Sequence, residues 1–366
     1  MLKPLENLLK ITDLWTYLKT QSKPIVLYGM GDGADKIINV CLEKNINVSG
    51  VFASDEFVRG QSFRGYKVKT YADTKLEFGD IIILVSFATR LDSVLQKIYN
   101  LCKCDEVYAP DVPVFGEGLF DSDYFKDNFA NFNKVYNMLS DEVSHKAYYN
   151  ILEYKLTGRI ELLLECETTV HEAYETIIKP CTNSVYVDIG AYNGDTLKEY
   201  TLFSGNNITA YAFEPDLKNF NKLSQNAQSL GIKKIELINI AAWNKKEELL
   251  FYSRSGRNSA ATTSHAGVKS KKINADCADN YISDHVDFIN IDAEGSDMQA
   301  ILGLEKTISS FQPTISCAVY HRNEDMFAIP LQLAKKYDHF KMYVRHFPYI
   351  PAWDTNIYIK PDKNSD

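Results

Sequence analysis

Short apolar runs alternate with amphipathic stretches along most of the chain. Near the beginning, residues 23–28 form an apolar run, Gly29 to Ala34 form a glycine-rich turn, and apolar residues then recur at helical spacing from Ile37 to Leu42. A second apolar run, Val48 to Ala53, follows. Apolar runs bounded by turn residues are typical of strands, and a three-to-four-residue spacing is typical of helices. A second series of this kind begins at Ser184.

The two series predict an α/β fold class with two Rossmann-like domains joined by a helical connector. We expect the N-terminal domain, of nucleotide-binding type, at 1–115, the connector at 116–180 and the C-terminal domain at 181–366. Leu5 to Lys19 predicts a helix ahead of the first strand. The polar segment from Arg254 to Lys272 predicts a loop, either a lid or an ordinary solvated insertion.

Composition narrows the classes of partner. The 366 residues carry a formal net charge of -8, which argues against a nucleic-acid partner, although a local basic groove remains open. Seven scattered cysteines are typical of reduced thiols in a cytoplasmic protein and give no metal-site spacing. The sequence predicts no signal peptide and no membrane span. Assembly as a homo-oligomer stays open.

The turn at Gly29 and Gly31 fits a dinucleotide-type fingerprint, with Asp55 placed where a ribose hydroxyl could bind. The same turn also closes any Rossmann-like unit. Together with the loop Gly60 to Val68, it resembles the nucleotide-sugar-binding domains of sugar acetyltransferases. That resemblance implies a nucleotide-sugar substrate held at Gly29, Gly31 and Asp55.

Residues Ser184 to Thr196 predict a strand, a tight turn with two glycines and a helix. Gly190 and Gly194 would let the backbone approach a ligand closely. Asp188, at the strand end, suits a ligand that carries an ammonium group better than a pyrophosphate. The turn resembles the first motif of methyltransferases that use S-adenosylmethionine (SAM).

Further strand ends carry polar residues. Glu214-Pro215 ends one strand, and an acidic residue there can accept both hydroxyls of a ribose. Ala241 begins a small-residue stretch that leaves room for an adenine face. The strand from Val286 ends at Asp292, with Glu294 and Asp297 just beyond, which predicts three carboxylates at the edge where ligands of such sheets bind.

These ordered motifs, with 315–321 and 343–346, resemble the FkbM family of SAM-dependent methyltransferases. The resemblance covers most of 139–359 and departs from the family's usual residues at Asn290 and Ala293. It implies a class I methyltransferase domain that transfers a methyl group to a hydroxyl of a sugar or glycan precursor, in surface-polysaccharide or glycoconjugate synthesis of a bacterium. The SAM-binding residues it implies are Asp188, Gly190, Tyr192, Gly194, Asp195, Thr196, Glu214, Pro215, Ala241 and Asp292.

His321 is the first candidate for the base that accepts the hydroxyl proton, and Asp292 is the competing candidate. His321 follows a predicted strand and has an ordinary pKa near neutrality, whereas Asp292 could instead contact the methionine amine. Asp292 and Glu294 could alternatively hold Mg²⁺ or another divalent metal, although no residue is predicted as a metal ligand from spacing. Arg345 and His346, with Glu294, are candidates for substrate binding; a structural ion pair is the alternative for Arg345 and His346.

Two other functions compete with this enzyme class. A tandem of Rossmann-like domains could be a non-catalytic nucleotide-sugar-binding or scaffold protein with a degenerate methyltransferase domain. Alternatively, the turn at Gly29 could serve a nicotinamide-dependent oxidoreductase. The presence of Asp292 and His321 favours catalysis, since a binding module needs no proton acceptor.

Overall fold

The computed structural model describes residues 2–116, 118–253, 259–262 and 270–362, with 251–253, 259–262 and 270 described by backbone alone. The chain divides into two compact units. The first unit comprises Met1–Tyr136, Glu142–Thr168 and His346–Asp354, and the second comprises Asn137–Asp141, Thr169–Arg345 and Thr355–Asp366. The predicted connector therefore does not stand apart, because both units include segments of it.

The first unit is built on a mainly parallel sheet. Its strands are β1 (Ile25–Tyr28), β2 (Val48–Phe52), β3 (Ser62–Phe63), β4 (Tyr66–Lys69), β5 (Ile82–Val85) and β6 (Glu106–Tyr108). They lie in the order β3-β4-β2-β1-β5-β6, and β3 pairs antiparallel with β4. β1 and β5 are buried along their whole length. Their residues are apolar on both sides because helices cover both faces of a parallel sheet.

Helices of the first unit include the one predicted from the spacing of Ile37 to Leu42. They are α1 (Leu14–Lys19), α2 (Asp32–Glu43), α3 (Tyr71–Phe78), α4 (Asp92–Leu101), α5 (Ser122–Tyr136), α6 (Glu142–Thr157) and α7 (Glu161–Leu164), with short 3₁₀ turns at Leu5–Lys10 and Asp55–Phe57. The single helix predicted from Leu5 to Lys19 is wrong. Ile11 is extended, and the Asp13 side chain accepts the amide of Thr16 to start a new helix.

The second unit has a larger mixed sheet. Its strands are β7 (Val185–Ile189), β8 (Thr209–Phe213), β9 (Lys234–Ile238), β14 (Phe288–Ile291), β15 (Thr314–Ala318), β16 (Phe340–His346) and β17 (Thr355–Pro361), in the order β16-β17-β15-β14-β7-β8-β9. β17 pairs antiparallel with β15, whereas β7, β8, β9, β14 and β15 run parallel. The strand order reverses between β7 and β14, so a crevice is expected outside their carboxyl ends.

Helices cover this sheet, and a smaller sheet is inserted after β9. The helices are α8 (Val170–Ala173), α9 (Asp195–Ser204), α10 (Leu217–Leu230), α11 (Asp297–Leu302), α12 (Glu305–Phe311) and α13 (Asp325–Ala334), with a π turn at Tyr174–Ile178 and a 3₁₀ turn at Ala278–Asn280. The smaller sheet has the order β10-β13-β11-β12, with strands β10 (Ala241–Ala242), β11 (Glu247–Ser253), β12 (Ser259–Thr262) and β13 (Ser270–Asp276).

The loop predicted from Arg254 to Lys272 is wrong for part of its length, because β12 and the start of β13 lie within it. Residues 254–258 and 263–269 lie outside the described residues, so the prediction of a lid is not tested. The α/β class with parallel sheets is confirmed. Among the described helices, none has the length and apolar character that crossing a membrane requires.

Candidate active site

The glycine turn after β7 packs against a neighbouring turn of the chain. Gly190 has φ +84°, and a Cβ there would lie 1.9 Å from the carbonyl oxygen of Asp292. The amide of Asp292 in turn donates to the carbonyl of Ile189. The turns after β7 and β14 are therefore in direct contact, which brings the two predicted ligand-binding stretches together at one sheet edge.

Asp188, the last polar residue of β7, is fully buried. Its carboxylate accepts hydrogen bonds from the Thr196 hydroxyl at 2.6 Å and from the Asn290 amide at 3.1 Å. Burial raises the pKa of Asp188 to about 6, although both hydrogen bonds oppose that shift. Asp188 therefore ties the start of α9 to β14 in this structure, and the family departure at Asn290 supplies one of its partners.

Glu214, at the end of β8, is held by backbone amides. Its two carboxylate oxygens accept the N–H of Tyr192, in the glycine turn, at 2.9 Å and the N–H of Asp216 at 2.7 Å. Burial raises the pKa of Glu214 to about 7 against these hydrogen bonds. Pro215 follows directly and is half-buried. The carboxylate is thus fixed beside the glycine turn, where ribose hydroxyls could donate to it.

The remaining residues of the predicted SAM set lie at the same carboxyl edge or close to it. Gly194 (φ +86°) precedes α9, and Asp195 is exposed in its first turn. Ala241 is buried in β10, where it pairs with Ala275 of β13. The role of these residues in SAM binding stays a prediction.

A carboxylate-rich cluster surrounds His321, just after β15. The imidazole Nδ1 lies 2.9 Å from Asp297 Oδ2, and Nε2 lies 3.3 Å from Asp292 Oδ1 and 3.6 Å from Glu294 Oε2. The side chains of His321 and Asp297 are 1% exposed, whereas those of Asp292 and Glu294 are 42% and 35% exposed. The two carboxylates thus face the crevice, and the histidine lies behind them.

The cluster changes the protonation of its members. Burial by itself lowers the pKa of His321, but the charges of Asp297, Asp292 and Glu294 outweigh it and raise the pKa to about 10. Burial and the neighbouring carboxylates raise the pKa of Glu294 to about 8 against the charge of His321. The sequence-based choice of His321 as the base is therefore corrected: the ring is charged at neutral pH and too buried to meet an acceptor hydroxyl.

Sequence reasoning placed Asp297 at this edge without predicting its role, and it missed Tyr320. Asp297 begins α11, and its carboxylate accepts a hydrogen bond from the Nδ1–H of His321. The half-buried Tyr320 donates its hydroxyl hydrogen toward the Asp292 carboxylate at 3.3–3.4 Å. Tyr320 also lies against the imidazole, with ring centroids 4.2 Å apart. Both residues stand inside the strand-end motifs, so their position after β14 and β15 was the signal that could have identified them.

Glu294 also has an unusual backbone. Its φ of +50° lies in the left-handed region, which a side chain with a Cβ adopts only when the surrounding structure holds it there. Donor atoms of Asp292, Asp297 and His321 lie within 4.8 Å of one another, so this cluster could hold a metal ion.

Arg345 and His346 do not present charge to a substrate in this structure. The Arg345 guanidinium is 2% exposed and pairs with Glu172 at 2.8 and 3.0 Å and with Asp141 at 2.8 Å. His346 is fully buried, and burial lowers its pKa to about 3, so the imidazole is neutral. For Arg345 the structural ion pair is the arrangement found, and a neutral buried His346 is poorly suited to a phosphate.

In the first unit, Gly29, Gly31 and Asp55 stand at the carboxyl ends of β1 and β2. Gly29 (φ +111°) lies close to Phe87, whereas a Cβ at Gly31 (φ +150°) would meet open space. Asp55 is exposed in a 3₁₀ turn. The first turn of α2 carries Asp32 and Asp35, which weakens its attraction for a phosphate.

Comparison with known proteins relates part of this chain to a methyltransferase family. Residues 188–351 match the family model of the methyltransferase FkbM domain. No curated protein matches the sequence. The solved structure of methyltransferase FkbM from Methylobacillus flagellatus KT has a TM-score of 0.70, covers 94% of this chain and 92% of its own, and is 18% identical.

A more distant match is the structure of an rRNA methylase from Streptococcus thermophilus. It has a TM-score of 0.36 and 15% identity, and covers 53% of this chain and 97% of its own. At such identities, the match to the Methylobacillus flagellatus protein shows a shared fold and the second adds nothing to it. Residues 188–351 are therefore similar to the methyltransferase FkbM domain, within a fold similar to that of a solved FkbM methyltransferase.

Proposed function

We propose that this protein is a SAM-dependent O-methyltransferase that methylates a hydroxyl of a sugar or glycan precursor. The observation that carries the proposal is the meeting of three strand ends: the glycine turn after β7, the Glu214 carboxylate after β8 and the Asp292 turn after β14. This combines an adenosine-type site with a proton acceptor, which a pure binding module does not need.

The residues present fit SAM by their charge. Glu214 would hold the ribose hydroxyls, while Gly190 and Gly194 would allow the close backbone approach. When bound, SAM supplies a methyl group on a cationic sulfonium. The Asp292 carboxylate gives the crevice a negative lining, which favours a sulfonium and disfavours a pyrophosphate.

Asp292 is our choice for the residue that accepts the hydroxyl proton. Its carboxylate is the most exposed of the cluster, and the Tyr320 hydroxyl and His321 hold it in place. His321 acts through Asp292 as a positioning residue, since it is almost wholly buried. Asp188 supports the glycine turn from below and makes no direct contact with the ligand in this proposal.

The acceptor group at the point of transfer is uncharged in this proposal, because the Asp292 carboxylate would repel a phosphate placed beside it. A sugar hydroxyl satisfies that condition, even in a nucleotide sugar whose phosphates lie elsewhere. The first unit is a candidate for binding such a nucleotide sugar through Gly29, Gly31 and Asp55, within surface-polysaccharide or glycoconjugate synthesis. The phosphates of the nucleotide sugar would not lie at the N-terminus of α2, because the carboxylates of Asp32 and Asp35 would repel them there.

Calorimetric titration with SAM, S-adenosylhomocysteine, NAD and a panel of nucleotide diphosphate sugars tests the proposal. Saturable binding of SAM and S-adenosylhomocysteine is expected. Asp292→Asn should bind SAM within about threefold of the parent yet lose about 10²–10⁴ in methyl transfer, the usual contribution of a general base. The exposed control Asp287→Asn should leave both unchanged. Binding of NAD with no response to SAM would refute the proposed function.

A further inference from the structure

We propose that Arg322 binds an anionic group of the acceptor, a phosphate or a carboxylate, and so selects a negatively charged sugar derivative as the substrate. The inference deepens the proposed methyl-transfer function and rests on it. It comes from the surroundings of the Arg322 guanidinium, which is half-buried beside the candidate site, and from the order of the strands on which that site is built.

One contact fixes the guanidinium of Arg322. Its Nε–H donates to the carbonyl oxygen of Gly295 at 2.9 Å, and Gly295 belongs to the turn that follows β14. The amide of Gly295 donates in turn to the Asp297 carboxylate at 3.2 Å. The terminal nitrogens Nη1 and Nη2 of Arg322 have no hydrogen-bond partner among the described residues. Since an arginine carries five N–H donors, four of them remain for a ligand.

The positive charge of Arg322 also lacks a counter-ion within the part of the chain that the structure describes. Asp325 lies close in sequence, but it is buried, and its Oδ2 accepts the backbone N–H of Arg322 at 2.9 Å. Arg345, in contrast, pairs with both Glu172 and Asp141. A cation that is partly withdrawn from water is unfavourable without an anionic partner, so a ligand that supplies one gains from the contact.

The strand order assigns this anion to the acceptor. Arg322 follows β15, whereas the glycine turn and Glu214 follow β7 and β8. In the order β15-β14-β7-β8, with strands about 4.8 Å apart, the end of β15 lies roughly 10 Å from that of β7 and roughly 14 Å from that of β8. Asp292, the proposed base, follows β14, between the two. A ligand held by Arg322 would therefore reach the base from the side opposite to the ribose.

The shape of the guanidinium narrows the chemistry of that ligand. Its planar fork of N–H donors matches the paired oxygens of a phosphate or a carboxylate, whereas a hydroxyl offers a single oxygen. An acceptor that carries such a group at one end can place a neutral hydroxyl at Asp292. Its negative charge then lies at Arg322 and away from the base.

Titrations of the full chain saturated with S-adenosylhomocysteine test the proposal. The probes are pyrophosphate, glucose 1-phosphate and glucuronate at constant ionic strength, and glucose is the uncharged control. We expect saturable binding of the anionic probes and none of glucose over the same range of concentration. The comparison of glucose 1-phosphate with glucuronate shows whether Arg322 prefers a phosphate or a carboxylate.

Variants assign the binding to this side chain. Arg322→Gln should weaken binding of the anionic probes about 10–100-fold, as expected for the loss of charge-assisted hydrogen bonds. Arg322→Lys should recover only part of that loss, because an ammonium cannot form two parallel bonds. Lys335→Gln removes an exposed charge directly after α13 and is the matched control, which should bind like the parent. Each variant should keep the parent's affinity for S-adenosylhomocysteine, and circular dichroism confirms that each is folded.

Equal binding of the anionic probes by Arg322→Gln and the parent would overturn the proposal. So would the absence of anion binding in a parent that binds S-adenosylhomocysteine, and in both cases the proposed function stands. Loss of S-adenosylhomocysteine binding in a folded Arg322→Gln would also overturn it, because the guanidinium would then serve the cofactor. A folded parent that binds neither SAM nor S-adenosylhomocysteine instead refutes the proposed function, and this inference with it.

Discussion

At the scale of the residue, burial decides what each carboxylate of the site can do. Asp188 and Glu214 both stand at strand ends, yet Asp188 is fully enclosed and bonded to Thr196 and Asn290, whereas Glu214 is held by backbone amides beside the glycine turn. The first supports the turn and the second is placed to meet a ligand. Different substitutions should separate these two roles.

Asp188→Asn is expected to stabilise the protein above neutral pH. The folded pKa is raised from 3.8 to about 6, so ionising Asp188 costs the folded state about 3 kcal/mol, a penalty absent below pH 4 and complete above pH 6. An amide can keep both hydrogen bonds, because Thr196 can accept as well as donate. Urea unfolding at pH 5 to 8 should show the variant gaining about 1–3 kcal/mol over the parent as pH rises.

The exposed neighbour Asp195→Asn is the control and should show no such trend. A stability difference between Asp188→Asn and the parent that does not change with pH would contradict the burial of an ionising group at this position.

Glu214 should make SAM binding depend on pH. Burial raises its pKa to about 7 in the ligand-free protein, and only the ionised carboxylate accepts from both ribose hydroxyls. The dissociation constant of SAM should therefore be about tenfold higher at pH 6 than at pH 8. Glu214→Gln should lose this dependence. Ionisation of the SAM amine affects the parent and Glu214→Gln equally. If the dissociation constant of SAM changes with pH in the same way for both proteins, Glu214 does not bind the ribose.

At the scale of the element, the site depends on two turns that cannot move apart. The turn after β7 needs a glycine at 190 because the carbonyl of Asp292 occupies the place of a side chain. Gly190→Ala should therefore lower the free energy of unfolding by about 4 kcal/mol or more, or prevent folding, and abolish SAM binding. Gly231→Ala also has positive φ but only an ordinary neighbour 3.7 Å away, so it should cost about 1–2 kcal/mol.

Thermal unfolding and SAM titration of the two alanine variants test this pair. A Gly190→Ala protein as stable as Gly231→Ala would show that the turns after β7 and β14 can separate, and it would weaken the case for one combined site.

Strand patterns carried much of the prediction, because apolar runs and their polar ends are local features. The carboxyl ends of parallel strands share an edge, so Glu214 and Asp292 could be expected near one another from sequence. The charge state of His321 could not, since it depends on three carboxylates brought around a buried ring. The pairing of Arg345 likewise joins residues 173 and 204 positions apart, a separation that no local pattern encodes.

At the scale of the whole molecule, the second unit is not a continuous stretch of chain. It takes in Asn137–Asp141 and the residues from Thr169 on, ahead of the family-matched range that begins at Asp188. Those early residues supply Asp141 and Glu172, the carboxylates that pair with Arg345, and Ser140, whose hydroxyl accepts the amide of Met342. A C-terminal fragment drawn from sequence alone would leave these contacts behind.

The fragment 181–366 is therefore expected to fail as an independent SAM-binding domain. It retains the glycine turn, Glu214 and the His321 cluster, but Arg345 loses two carboxylates that neutralise it within a buried site, a loss of about 3–5 kcal/mol for a broken buried pair. In the full chain, Asp141→Asn combined with Glu172→Gln isolates that contribution and should lower stability by a similar amount without altering the site residues. Circular dichroism and SAM titration measure both proteins. A folded fragment that binds SAM like the full chain would show that the pairing of Arg345 is dispensable and that the site is contained in the last half of the sequence.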